Sequence, residues 1–153
     1  MEGKITNLSF YAIGYKHSGR FDQYHVLVAN AFQDLKTKMN QIPSRTDTTV
    51  ALYEPQRGPE HVEGFFYVGV IVNEMPEDLP EGSELLSIEG RYASAFGQIK
   101  NMASIYDFLG SWIEENGHKQ VWPDTLFVER YEFPIPEKLT LEEEVEVLLP
   151  VEE

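Results

Sequence analysis

The hydrophobic period along this chain runs through one order of changes and then starts that order again. This repeat constrains the fold more than any single motif. From Ile5 to Lys16, Leu8, Phe10 and Ala12 alternate with Tyr11, Ile13 and Tyr15, a period of two that predicts a strand, with His17-Ser18-Gly19 expected to break it. From Phe21 the period changes: Phe21, Tyr24, Val28, Ala31 and Leu35 recur at three and four, one face of an amphipathic helix. Lys36, Lys38, Asn40 and Pro43 suit its end. Thr48 to Tyr53 and His61 to Val72 read as two strands, joined as an antiparallel hairpin over the Pro55 to Pro59 loop.

A Pro-rich, acidic linker follows, Asn73 to Gly82, and the order restarts. Leu85 to Phe96 alternates as a strand that Gly97 is expected to end. Met102, Ile105, Leu109 and Trp112 recur at helical spacing, with Tyr106 and Ile113 widening the stripe, and Gly117 is free to take a left-handed cap. Asp124 to Phe133 and Thr140 to Leu149 read as closing strands around Pro134 and Pro136. Each half is therefore strand, helix, strand, strand, the first over about residues 5–75 and the second over about 82–150, within one domain spanning 1–153. One such unit leaves a sheet face partly uncovered. Two paired units predict an α+β fold: a duplicated β-α-β-β arrangement with an antiparallel sheet, both helices on one face, and a central cleft where a small ligand can sit.

Composition excludes several function classes. There is no cysteine, so disulfides, thiolate metal sites and cysteine nucleophiles are out. Acidic residues outnumber basic ones 26 to 12, for a net charge of −14, and the basic residues form no stripe. A duplex binder replaces phosphate counterions with Lys and Arg, so no direct nucleic-acid contact is expected. No apolar run approaches the ~20 residues of a membrane span, and the N-terminus lacks a signal-peptide pattern. The expectation is a soluble cytoplasmic chain with no membrane partner. The four histidines fall at unrelated positions, and phosphate-binding or dinucleotide-binding glycine loops and a Gly-x-Ser-x-Gly elbow are absent. No metal and no cofactor are expected.

Phe127-Val128-Glu129-Arg130-Tyr131 carries the most chemistry. On a strand, Phe127, Glu129 and Tyr131 share a face, placing a carboxylate between two aromatic rings. On the inner face, Glu129 is a buried acid in need of a partner, a cation or a proton. A cationic aromatic ligand would meet that need through charge, stacking and cation–π contact. On the other reading, Phe127 and Tyr131 are cross-strand packing and Glu129 sits at a solvated edge. Phe65, Tyr67 and Gly69 share a face of the corresponding first-half strand, with Gly69 leaving room for close packing or for a ligand. Trp112 points at the sheet from its helix, as core or as pocket wall. Tyr53 and Trp122 sit at strand ends, where they rim a groove or cover the core edge.

Ile88-Glu-Gly-Arg-Tyr92-Ala93, Phe96-Gly97, Tyr106 through Gly117, Glu129-Arg-Tyr131 and a last strand closing on Leu149-Pro150 resemble, in order and spacing, the GyrI-like domains. These are the effector-binding domains of AraC-type and multidrug-responsive MerR-type regulators. Tyr53-Glu54-Pro55 and Val68-Gly69-Val70 match more loosely, and the resemblance covers nearly the whole chain. It implies an aromatic-lined cleft in a duplicated β-α-β-β fold. It also implies that a Glu two before a Tyr, here Glu129 and Tyr131, contacts cationic ligands. The first strand begins within about five residues of Met1, so the chain reads as a stand-alone form without a helix-turn-helix. The resemblance then implies a sequestering or sensing protein for small cationic aromatics. A hydrolase of electrophilic small molecules using the same carboxylate is one alternative. A module that engages a protein partner, a regulator or DNA gyrase, is another.

Overall fold

The computed structural model describes residues 1–121, 126–132 and 142–153. Its elements follow the expected order: β1 (Lys4–Arg20), α1 (Tyr24–Lys38), β2 (Arg45–Tyr53), β3 (Glu63–Val72), β4 (Glu84–Gln98), α2 (Met102–Glu115), β5 (Phe127–Tyr131) and β6 (Glu144–Pro150). A single 3-10 turn leads into each helix. Trp122, Pro134 and Pro136, the start of the predicted Asp124–Phe133 strand and that of the Thr140–Leu149 strand lie outside the described residues.

The α+β class holds, with all strand pairs antiparallel. The antiparallel sheet is closed. Its order β1-β3-β2-β5-β6-β4 closes on itself, because the long β1 pairs with β3 along one edge and with β4 along the other. The hairpin of β2 and β3 forms as predicted, with Tyr53 opposite Phe66. Alternation then sorts side chains into two clusters. Leu8, Ala12, Val50, Leu52, Tyr67, Tyr92, Val128 and Leu148 come from all six strands and from neither helix, so they fill the inside of the closed sheet. The opposite faces, among them Ile13, Phe66, Val68, Ala93 and Val147, meet Phe32 and Leu35 of α1 and Ile105, Leu109 and Ile113 of α2. Both helices therefore cover the outside of the sheet.

Two glycines expected to stop strands do not. β1 continues through Gly19, paired with Gly64, and β4 continues through Gly97, paired with Val145. A Cβ on Gly19 would meet Leu27 of α1 at 2.4 Å, and one on Gly97 would meet Ile105 of α2 at 2.7 Å. In each case the missing side chain lets the next helix lie down on the strand that precedes it. Gly117 does take the left-handed conformation expected of a helix exit, with φ of 76°.

Gly69 has a similar but stricter role. It lies opposite Gly14 in the β1–β3 pair, and a Cβ there would sit 2.4 Å from the Ile13 carbonyl oxygen and 2.8 Å from Gly14 Cα. The room it leaves is taken by backbone, neither by a helix nor by a ligand. Backbone cannot swing aside as a side chain does, so Gly69→Ala should destabilise the fold by about 1–3 kcal/mol, the range for overpacking. Urea denaturation would show it as a lowered midpoint at unchanged m-value.

Candidate functional site

β5 is short, and its strict alternation fixes what faces the helices. Phe127, Glu129 and Tyr131 point to the helix-covered side, while Val128 points inward. Across the ladder, Glu129 lies opposite Ala51 on β2 and Val147 on β6. Both neighbours are short, so neither reaches over the carboxylate. Glu129 is nonetheless only 5% exposed.

Three phenol hydroxyls converge on it. Tyr53 of β2 and Tyr131 of β5 donate to Oε1 at 2.9 and 2.7 Å, and Tyr106 of α2 donates to Oε2 at 2.6 Å. A carboxylate offers about four lone-pair positions. The described residues fill three, two on Oε1 and one on Oε2. Among the described residues no Lys, Arg or His forms an ion pair with Glu129. The neighbouring Arg130 is turned to the other face, where it donates to the buried Glu146 at 2.9 Å.

This carboxylate forms the floor of a cavity of about 500 Å³ between α1 and α2. α1 contributes Tyr24, Val28 and Phe32, the segment leading into α2 and its first turns contribute Ile99, Met102 and Tyr106, and the sheet contributes Tyr53, Phe127 and Tyr131. Glu54, Pro55 and Gln56 line it beyond the end of β2. The volume suits a drug-sized molecule, and the wall is mostly apolar with few convergent polar groups. Among the described residues no group of three or more His, Asp or Glu is arranged to hold a metal ion, and no helix is long and apolar enough to cross a membrane.

Of the residues singled out in the sequence, Glu129, Tyr131, Phe127 and Tyr53 line the cavity. Phe65, Tyr67 and Trp112 do not, which corrects their expected placement. Tyr67 belongs to the cluster inside the closed sheet, and its hydroxyl is 3.4 Å from Glu84. Phe65 shares that side, with the Lys16 ammonium 4.6 Å from its ring centre. The residue between them, Phe66, is the one that faces the helices, in contact with Tyr24 and Tyr53. Trp112 stacks on His118 and lies against Gly3. Tyr106 carries more than its sequence reading gave it, since it looked only like a broadening of a helical stripe. Its signal was a phenol, with a polar tip, at the edge of an apolar face.

No family model and no curated protein matches the sequence; solved structures do. SAV2435, in a structure with bound tetraphenylphosphonium, superposes with a TM-score of 0.68 at 15% identity, over 99% of this chain and 94% of that one. EcmrR in its DNA complex gives 0.69 at 17% identity over 99% of this chain, which spans 57% of the EcmrR chain. Its isolated C-terminal domain gives 0.64 at 19% identity over 99% of this chain and 98% of that domain. A hydrolase from Listeria innocua gives 0.58 at 11% identity, over 99% of this chain and 92% of that one. The fold is that of the GyrI-like effector-binding domains. In this GyrI-like frame the cavity lies outside the closed sheet, between the two helices, with Glu129 beneath it.

Burial is the main influence on Glu129 and raises its pKa above the ordinary carboxylate value, while hydrogen bonds from Tyr106, Tyr131 and Tyr53 pull it back down. The three phenols are pushed well above theirs, first by burial and then by the Glu129 charge, so they stay protonated as donors. A carboxyl whose pKa is raised on folding binds more protons folded than unfolded. Its contribution to stability is present at low pH and is lost as pH rises through the raised value. The stability of Glu129→Gln minus that of the native chain should therefore grow from about pH 4 to about pH 7, as read by urea titration at each pH. A difference that shrinks with pH would mean the tyrosines outweigh burial.

Proposed function

We propose that this chain binds small cationic or amphipathic aromatic molecules between α1 and α2, for sensing or sequestration, with Glu129 as charge partner. The observation that carries this reading is a carboxylate 5% exposed, held by three hydroxyls and met by no protein cation among the described residues, at the base of an aromatic cavity. A buried charge without a counter-charge is unfavourable, and a bound cation would relieve it. The tyrosine rings and Phe127 supply stacking and cation–π contact. Tetraphenylphosphonium in SAV2435 is a cation of this chemical type, carried by a chain of the same fold.

We also read the two β-α-β-β runs as copies of one unit, which would set α1 and α2 in equivalent places beside the cavity. Gly19 beneath Leu27 and Gly97 beneath Ile105 support that reading.

Glu129→Gln keeps the size and one acceptor and removes the charge. It should weaken binding of a cationic dye by at least about tenfold, or about 1.4 kcal/mol, while a neutral aromatic of similar shape changes little. Fluorescence titration of both ligands checks this, and equal losses for the two would remove the electrostatic role.

A second reading, hydrolysis of electrophilic small molecules, is favoured by one observation: a buried carboxyl of raised pKa beside hydroxyls, in a fold shared with a hydrolase. It predicts turnover of a reactive electrophile that vanishes in Glu129→Ala, followed by chromatography of the product. Stoichiometric binding without product leaves the binding reading alone.

A further inference from the structure

The cavity has a second carboxylate, at its mouth. Glu54 follows the last residue of β2 and lines the cavity together with Pro55 and Gln56. Its side chain is 14% exposed, and it is held in a built setting. Oε2 accepts from Arg57 Nη1 at 2.7 Å, and Oε1 accepts from the Phe65 amide at 3.3 Å and lies 3.5 Å from His61 Nε2. His61 is itself fixed, its Nδ1 accepting from the Arg57 amide at 3.0 Å and its ring edge-on to Phe21 at 4.8 Å. The carboxylate and the Phe21 ring both rest on Gly64, where a Cβ would fall 2.8 Å from Glu54 Oε1 and 2.5 Å from Phe21 Cζ. Position 64 thus has room for no side chain without moving them.

Two carboxylates therefore bound one aromatic space. Tyr53 links the two: its backbone adjoins Glu54, and its hydroxyl donates to Glu129. The two ends differ in one respect. Among the described residues Glu129 has hydroxyl donors and no cation, whereas Glu54 carries the guanidinium of Arg57, whose side chain is 36% exposed and comes from the loop at the rim. The arginine meets this carboxylate through one hydrogen bond from the exposed side, and it can turn outward to water. The carboxylate, being recessed, cannot.

On the cation-binding reading above, we infer that Glu54 is a second cation subsite that selects elongated aromatic dications, with Arg57 as an internal placeholder that the second positive group displaces. Glu129 takes the charge at the inner end of the ligand, the rings between take its aromatic body, and Glu54 takes the charge at the outer end. A monocation of the same ring system uses only the floor and leaves the Arg57–Glu54 pair in place.

Ethidium and propidium share one ring system, and propidium adds a second quaternary ammonium on a side chain. Fluorescence titration of the full chain at one ionic strength should give propidium the tighter binding by about fivefold or more. Glu54→Gln should abolish that advantage, weakening propidium by about fivefold more than it weakens ethidium. Arg57→Gln should widen it by about threefold, because the placeholder is gone. Glu77→Gln, an exposed acid of the linker, controls for general attraction to an acidic surface and should change neither dye. The inference is overturned if Glu54→Gln weakens both dyes alike, if Glu77→Gln removes the advantage as fully, or if Arg57→Gln leaves the ratio unchanged. Ethidium that binds native and Glu129→Gln protein equally would instead overturn the cation-binding reading itself. Ethidium that depends on Glu129, beside a propidium advantage indifferent to Glu54, would overturn the second subsite alone.

Discussion

One carboxylate held by three phenols is the constraint around which this molecule is arranged. Taking an ionised Glu out of water is unfavourable by several kcal/mol unless its lone pairs are met, and a hydrogen bond to a charged group returns about 1.5–3 kcal/mol. The three donors come from β2, β5 and α2. Satisfying Glu129 therefore fixes α2 against the sheet through Tyr106. α1 meets the same cavity through Val28, Phe32 and the face of Tyr24, which is stacked on Tyr53. The two walls are tied to different places: α2 to the floor carboxylate through Tyr106, and α1 to β3 through the Tyr24 hydroxyl, which donates to the Phe65 carbonyl oxygen at 3.3 Å.

Closure of the sheet decides where a cavity can be. Once β1 has paired with both β3 and β4, the inward faces of all six strands have to share one narrow space, and they fill it with Leu, Val, Ala, the rings of Tyr67 and Tyr92, and the Arg130–Glu146 pair. Side chains fill the interior, as in other small barrels. The opening must then lie where the covering layer is incomplete, and that is the gap between α1 and α2 over β2 and β5. The same argument explains why Tyr67 stands apart from the site: its parity assigns it to the interior.

What was legible in the sequence follows from how sharply each stretch declares its parity. Phe127-Val128-Glu129-Arg130-Tyr131 alternates strictly, so the face shared by the acid and its flanking rings could be read directly, whereas Tyr53 was read only as a strand-end residue at a groove rim or core edge. In β3 the run Phe65-Phe66-Tyr67 is aromatic at every position, and a one-residue choice sends the set to the wrong side. Gly19 and Gly97 were read as stops because glycine usually weakens a strand. Here both lie beneath helical side chains, a tertiary reason with no local signal. The element order survived these errors because it depends on changes of period rather than on single residues. Sheet closure was not legible, since nothing local announces that β1 will pair on both edges.

Net charge and site charge act over different ranges. A surplus of acids, 26 against 12 bases, raises the concentration of any cation near the surface, but at physiological salt that field fades over about 8 Å. It cannot tell one cation from another. Discrimination has to come from carboxylates that salt and water reach poorly, and Glu129 and Glu54 are placed so in this cavity. Their different companions, hydroxyls at the floor and an arginine at the mouth, set different conditions on a ligand. On the proposed cation-binding reading, the floor would take a positive charge without giving up a protein partner, whereas the mouth would take one only by exchange. On the same reading the aromatic walls would select by shape, and the two acids by charge.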